Sequence, residues 1–309
     1  MDALQLYHYK VIFNLKVRSV FGTAFQDFFS TVLEKKHGAD FVRVRPFGSV
    51  GDKGCDGYLA STGRIYQCFG KLQDAAVNST TLTGKISADY ALADGHLRSI
   101  MKEWHFGHNM VDGLPVTAVE ELEALKKANP TRTFGFVGPA GLESIVLSLP
   151  PADLLYLLGP AATAEDSRNL NLSDVREAVD ALMQAIGASS AQPATVKPVP
   201  ADKLSFNKLP PHWVHLITAG SLNEPYVREY FERHPEATTG DKVAKSFSER
   251  YVALRHEGLK PGEIMDALYE RLTGIGSVTA SRQVAAHALL AYLFDACDIF
   301  EDDPSKVSA

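Results

Sequence analysis

Apolar positions along this chain change period several times, and each change marks an element. Between Phe25 and Leu33 the apolar side chains fall at 25, 28, 29, 32 and 33, which is helical spacing. Gly38 is a natural stop for that helix, and Lys35, Lys36 and His37 suit the negative end of its dipole. Phe41 to Arg45 then alternates as a strand, ended by Pro46. Tyr58 to Ser61, the turn at Thr62-Gly63, and Arg64 to Phe69 predict a β-hairpin. A helix follows over about Leu82 to Glu103. Trp104 to His108 and Thr133 to Val137 are strand candidates, and Gly141 to Leu149 and Ala152 to Leu158 read as short helices. The first half therefore reads αβββαβ, then αβ: a mixed sheet flanked by helices.

The second half changes character. Residues 187–211 are rich in proline and small residues, as in an extended connector. From Trp213 onward the pattern is helical, with helices expected over Glu224 to Arg233, Lys242 to Glu257, Pro261 to Thr273 and Ser281 to Phe300. In the last of these, Val284, Ala288, Leu289, Tyr292, Leu293 and Cys297 form a broad apolar face, open to use as core or as a subunit contact. The expected division is an α/β domain over 1–160, a helix and Pro-rich connector over 161–211, and an all-helical domain over 212–309.

Composition narrows the partners. A net charge of −6 counts against a general nucleic-acid coat. Residues 1–160 carry 16 basic and 16 acidic side chains, so the acidic excess lies in the second half. Any grip on DNA is expected in the first half. No apolar run reaches the roughly 20 residues needed to span a bilayer. Cys55, Cys68 and Cys297 form no CxxC pair, and no secretory signal is visible, so reduced thiols and a cytoplasmic location are the expectation.

The candidate chemistry lies in Gly48-Ser-Val-Gly-Asp52-Lys-Gly-Cys-Asp56-Gly-Tyr58 and the strand Arg64-Ile-Tyr-Gln67-Cys-Phe-Gly-Lys71. Asp56 sits between glycines that leave room for a phosphate to approach, or it is simply a turn-former, as Asp52 would be. Gln67 is a lone amide in a strand that is otherwise apolar on both faces. An acid and an amide on adjacent strands could hold a divalent cation beside a phosphodiester, with the Lys71 ammonium near the reacting phosphate. Glu34, in the last turn of the early helix, could face the cation from that side or pair with neighbouring lysines. Arg43 and Arg45 share a strand face and could contact phosphates, as could Lys53. His96, His105 and His108 have no zinc-ligand spacing. GxSxG, GxxxxGK[ST] and GxGxxG motifs are absent from the sequence.

This order of helix with Glu34, strand, Asp56 strand, Gln67…Lys71 strand and helix resembles the PD-(D/E)xK restriction-endonuclease-like superfamily. The resemblance implies magnesium (or manganese) at Asp56 and Gln67, completed by Glu34, with Lys71 assisting hydrolysis of DNA. The lysine stands four positions after Gln67 rather than two. On a regular strand that is about 13 Å rather than about 7 Å; either Gly70 kinks the strand and shortens the gap, or Lys53 or Lys85 substitutes. Phe47 to Tyr58 with Tyr66-Gln-Cys68, and the tail Ala291 to Glu301, are similar to effector subunits of ABC-three-component (Lamassu-like) antiphage systems. That likeness implies a nuclease domain joined to a helical one. It also implies an SMC-like ABC ATPase and a small third subunit as partners, and a nuclease held inactive until released to form a homo-oligomer. The alternative is a non-catalytic DNA-binding or assembly subunit with a degenerate nuclease fold.

Overall fold

The computed structural model describes residues 1–46, 52–73, 78–186, 203–274, 278–296 and 299–300. The glycine-rich positions 47–51, most of the Pro-rich segment (187–202), Cys297 and the tail from 301 lie outside the described residues. The chain divides into two compact units. One comprises residues 13–157; the other joins residues 1–12 to the described residues from 158 onward.

The first unit begins in α1 (Ala3–Ser19), which the sequence pattern did not reveal, and continues with α2 (Gly22–His37). Then come β1 (Phe41–Arg43), β2 (Gly57–Leu59), β3 (Arg64–Phe69), α3 (Ser79–Leu97), β4 (Glu103–His108), α4 (Val116–Ala128), β5 (Thr133–Val137), α5 (Pro139–Leu147) and α6 (Pro151–Leu158). The five strands lie in the order β1-β2-β3-β4-β5. β1, β2 and β3 form an antiparallel meander, whereas β3, β4 and β5 are parallel. Parallel neighbours need a crossover, and α3 and α4 supply the two required.

Helices cover both faces of this sheet. Ile65, Trp104 and Phe134 stand in one row across β3, β4 and β5. They pack with Leu82, Ile86, Tyr90 and Ala93 of α3 and with Ala118 and Leu122 of α4. The opposite face carries Tyr66, whose ring meets Phe29 of α2 edge-on at 5.6 Å. Gly107 is required there, because a Cβ on it would lie 2.7 Å from the Phe29 ring. A buried phenylalanine such as Phe29 contributes roughly 1.5–3 kcal/mol through burial. α3 starts and ends earlier than its apolar pattern suggested. Asn78 caps its first turn by accepting the Thr81 N–H at 3.1 Å, and the chain turns at Leu97 to deliver Glu103 to β4.

The described residues of the second unit form helices and the turns between them. It contains α7 (Ala164–Arg168), α8 (Leu172–Ile186), α9 (Lys203–Phe206), α10 (Pro211–Ser221), α11 (Glu224–Glu232), α12 (Thr239–His256), α13 (Pro261–Thr273) and α14 (Ala280–Asp295). α14 is the core. Val284 through Ala291 are buried on every side, as are Leu293 and Phe294, so its apolar face is spent inside the unit. Gly220 lets α10 approach α14 closely, since a Cβ there would lie 2.3 Å from the His287 carbonyl oxygen. The first residues of the chain belong to this unit. His8 Nδ1 donates to the Ala162 carbonyl at 2.7 Å, and His8 Nε2 pairs with His287 Nδ1 at 2.8 Å. Among the described residues no helix is long and apolar enough to cross a membrane.

Candidate active site

Asp56 is fixed from its backbone outward. Just before it, Lys53 and Gly54 both take left-handed backbone angles (φ 56 and 74), and Asp52 closes the turn by accepting the Gly54 N–H at 2.9 Å. Gly54 presses on α3, where a Cβ would lie 2.3 Å from the Asp89 carbonyl oxygen. A Cβ on Gly57 would meet the Phe41 ring at 2.4 Å. The room that these two glycines provide is therefore filled by the protein, not left for a phosphate. Asp56 N–H then donates to Tyr66 O at 2.8 Å, and Asp56 O accepts Val44 N–H at 3.0 Å. The residue is held between β1 and β3.

Gly57 pairs with Tyr66 and Asp56 N–H also reaches the Tyr66 carbonyl, so the β2–β3 ladder ends in a bulge at Asp56. Each oxygen of the Asp56 carboxylate accepts a hydrogen bond. Cys68 N–H donates to Oδ2 at 2.7 Å, and the Gln26 amide, on α2, donates to Oδ1. Burial nevertheless raises the carboxyl to a pKa of about 6. The Cys68 N–H opposes that rise, Asp52 and Asp89 add to it by repulsion, and the Lys85 ammonium offsets part of it.

Gln67 is 4% exposed and faces α3, as its parity with Ile65 requires. Its amide sits beside Asp89, whose carboxyl is raised by burial and moderated by Lys85 and Gln67. Asp89 Oδ2 lies 2.6 Å from Lys85 Nζ, an ion pair by distance though not aligned as a hydrogen bond. Among the described residues the buried Gln67 Oε1 atom has no hydrogen-bond partner. An orphaned carbonyl-type oxygen beside Asp89 asks for a donor or a cation. Among the described residues no three His, Cys, Asp or Glu side chains converge to hold an ion by themselves. A magnesium site does not need them to, because Mg²⁺ commonly uses one or two carboxylates and completes its shell with water and phosphate oxygens. Asp56 is a carboxylate of that kind; its hydrogen bonds run to β3 and α2, while Gln67 turns toward α3.

The other residues expected here are placed elsewhere. Glu34 is taken by Arg43, which donates from Nε to Oε1 at 2.9 Å and from Nη2 to Oε2 at 2.6 Å. It stands two helical turns beyond Gln26, about 12 Å along α2, so Gln26 is the helix residue that reaches Asp56. Arg43 also contacts Asp27 and Thr31, and Arg45 pairs with Asp27, so both guanidinium groups are engaged in binding β1 to α2. Lys71 lies past the end of β3, where its Nζ donates to the Gln73 carbonyl at 2.9 Å. Lys85 is the lysine whose charge acts on Asp56. His105 is partly buried and His108 buried, each lowered to a pKa of about 4 chiefly by burial, and among the described residues neither joins a metal cluster. Gln26, Lys85 and Asp89 therefore complete the cluster. Asp89 did leave a trace in the sequence, because it shares the stripe of Leu82, Ile86 and Ala93 on α3.

Residues 173–301 match the family model described as C-terminal domain 10 of the ABC-three component (ABC-3C) systems. That match covers most of the helical unit and supports membership of an ABC-three-component system. No curated protein and no solved structure shows significant similarity to it.

Proposed function

We propose that this chain is the DNA-cutting effector of its ABC-three-component system, a magnesium-dependent endonuclease with a restriction-endonuclease-like core. The observations that carry the reading are the buried Asp56 carboxylate at the start of β2 and, on the neighbouring strand, the buried Gln67 Oε1, which has no partner among the described residues. The observed order α2-β1-β2-β3-α3-β4, with β3 and β4 parallel, agrees with the arrangement expected of that superfamily.

Asp56 and Gln67 Oε1 would hold the cation. Bound there, magnesium supplies charge for a phosphodiester oxygen and acidifies an attacking water. The chain's own residues do the rest. Gln26 and Cys68 N–H fix the Asp56 carboxylate from both sides, the support that ligating carboxylates need. Asp89 holds the Lys85 ammonium at the edge of the cluster, where a positive charge can stabilise negative charge developing on phosphate. The helical unit, which carries the family match, is the part assigned to assembly with an SMC-like ABC ATPase and a small third subunit. Release from them and self-association would switch the nuclease on in antiphage defence.

The test is plasmid cleavage in Mg²⁺ or Mn²⁺, with and without the partner subunits and at high protein concentration. The expected result is nicking that EDTA abolishes and that Asp56→Asn lacks. A complex that assembles normally but never nicks DNA would select the second reading, an assembly subunit, which the engaged Lys71 and Glu34 favour.

A further inference from the structure

Asn109 lies immediately beyond β4 and is 0% exposed. Its side-chain amide pairs with the backbone of Lys71 as a strand peptide would. Oδ1 accepts the Lys71 N–H at 2.7 Å, and Nδ2 donates to the Lys71 carbonyl at 2.9 Å. The β3–β4 ladder, which ends at Phe69 and His108, is thereby continued by a side chain. The same Nδ2 donates to the Val20 carbonyl at 2.7 Å and approaches the Val17 carbonyl at 3.4 Å. These are carbonyls at the C-terminal end of α1, which no residue further along that helix can satisfy. Finally, the Asn109 backbone oxygen accepts Gln73 Nε2 at 3.0 Å. One buried amide is thus both the cap of α1 and the partner of the β3 exit, four residues past Gln67. A second tie runs alongside, from Gly22 N–H to the Gly70 carbonyl at 3.0 Å.

We propose that Asn109 is a positioning residue that makes the end of α1 and the exit of β3 move as one piece, so that displacement of α1 resets Gln67 and Cys68. The control of cation binding that follows rests on the nuclease reading; the mechanical coupling itself does not. The unit boundary falls within α1, after Ile12, so the helix belongs in part to the unit that carries the assembly domain.

Amide hydrogen exchange on the full chain tests the coupling. Ser19→Pro unwinds the last turn of α1 without touching the sheet. In the wild-type background, exchange at residues 67–71 is expected to rise about tenfold or more, while Thr133–Val137 of β5 stays protected. In the Asn109→Ala background the added effect of Ser19→Pro at 67–71 should shrink, leaving only the Gly22–Gly70 tie. Equal responses in the two backgrounds, or no response at 67–71, would overturn the proposal. If Asn109→Ala does not fold, Ser19→Pro alone decides, because the disturbance must reach 67–71 and spare β5. A Mn²⁺ titration of the same proteins keeps the two ideas apart. Absence of Mn²⁺ binding by wild type refutes the cation site, while the exchange pattern still judges the coupling.

Discussion

Asp56→Asn should make this protein more stable while removing its cation site. The carboxyl has a pKa of about 6 in the folded chain, against an ordinary 3.8. The folded state therefore binds this proton more tightly than the unfolded state does. Between those two values stability rises as pH falls, and above about pH 6 the ionised carboxylate costs the fold up to about 3 kcal/mol. Asparagine removes that charge. It also turns one acceptor into a donor facing either Gln26 or Cys68 N–H, a loss of about 1 kcal/mol unless the Gln26 amide rotates to present its oxygen. The net gain is about 1–3 kcal/mol at pH 8, or roughly 3–8 °C in melting temperature for the unit that holds it. Thermal unfolding in EDTA at pH 8 and near pH 4 measures this directly, and the gain should vanish at the lower pH, where the wild-type group is already protonated. A variant that melts below wild type at pH 8 would refute the reasoning, because it would mean that the buried carboxylate is satisfied rather than strained. A gain that persists unchanged at pH 4 would also refute it.

Lys85→Met should lower cleavage by about 10²-fold and raise the Asp56 pKa further, whereas Lys71→Ala should cost less than about threefold; single-turnover rates across pH distinguish them. Arg43→Ala should destabilise the first unit by about 1 kcal/mol, allowing for the partial exposure of Glu34 and Asp27, and should leave Mn²⁺ affinity unchanged in a calorimetric titration. His8, lowered to a pKa of about 4 by burial, excludes a proton that the unfolded chain accepts below 6.5. The helical unit should therefore lose up to about 3 kcal/mol from this group as pH falls from 6.5 to 4, and Trp213 fluorescence in a Trp104→Phe background should report a smaller loss in His8→Phe, where the buried His287 and His212 remain.

The order of elements from α2 to β5 was legible because each carries its own period: helical in Phe25 to Leu33, alternating in Phe41 to Arg45, apolar and short in β3 and β5. The hairpin was also legible, since the Thr62-Gly63 turn joins β2 to β3. What surrounds them was not. Gln26 carries no charge and reads as an ordinary surface amide. Glu34 was the more conspicuous residue on the same helix, yet Arg43, nine positions later, claims it. Lys71 stood on the apparent extension of β3, but the strand ends at Phe69 and Asn109 takes over the pairing. α1 gave no signal because its buried side chains, among them Tyr9, Val11, Phe13 and Val17, follow no single face. The His8–His287 contact spans almost the whole chain, and spacing alone cannot disclose a pair that tertiary packing creates.

The central claim is that a divalent cation binds between Asp56 and the orphaned Gln67 oxygen. Titration of the full chain with Mn²⁺, followed by electron paramagnetic resonance, tests it most directly. One site is expected in wild type, lost in Asp56→Asn and weakened in Gln67→Leu. Wild type that leaves millimolar Mn²⁺ entirely free, or variants that bind it as wild type does, would contradict the account.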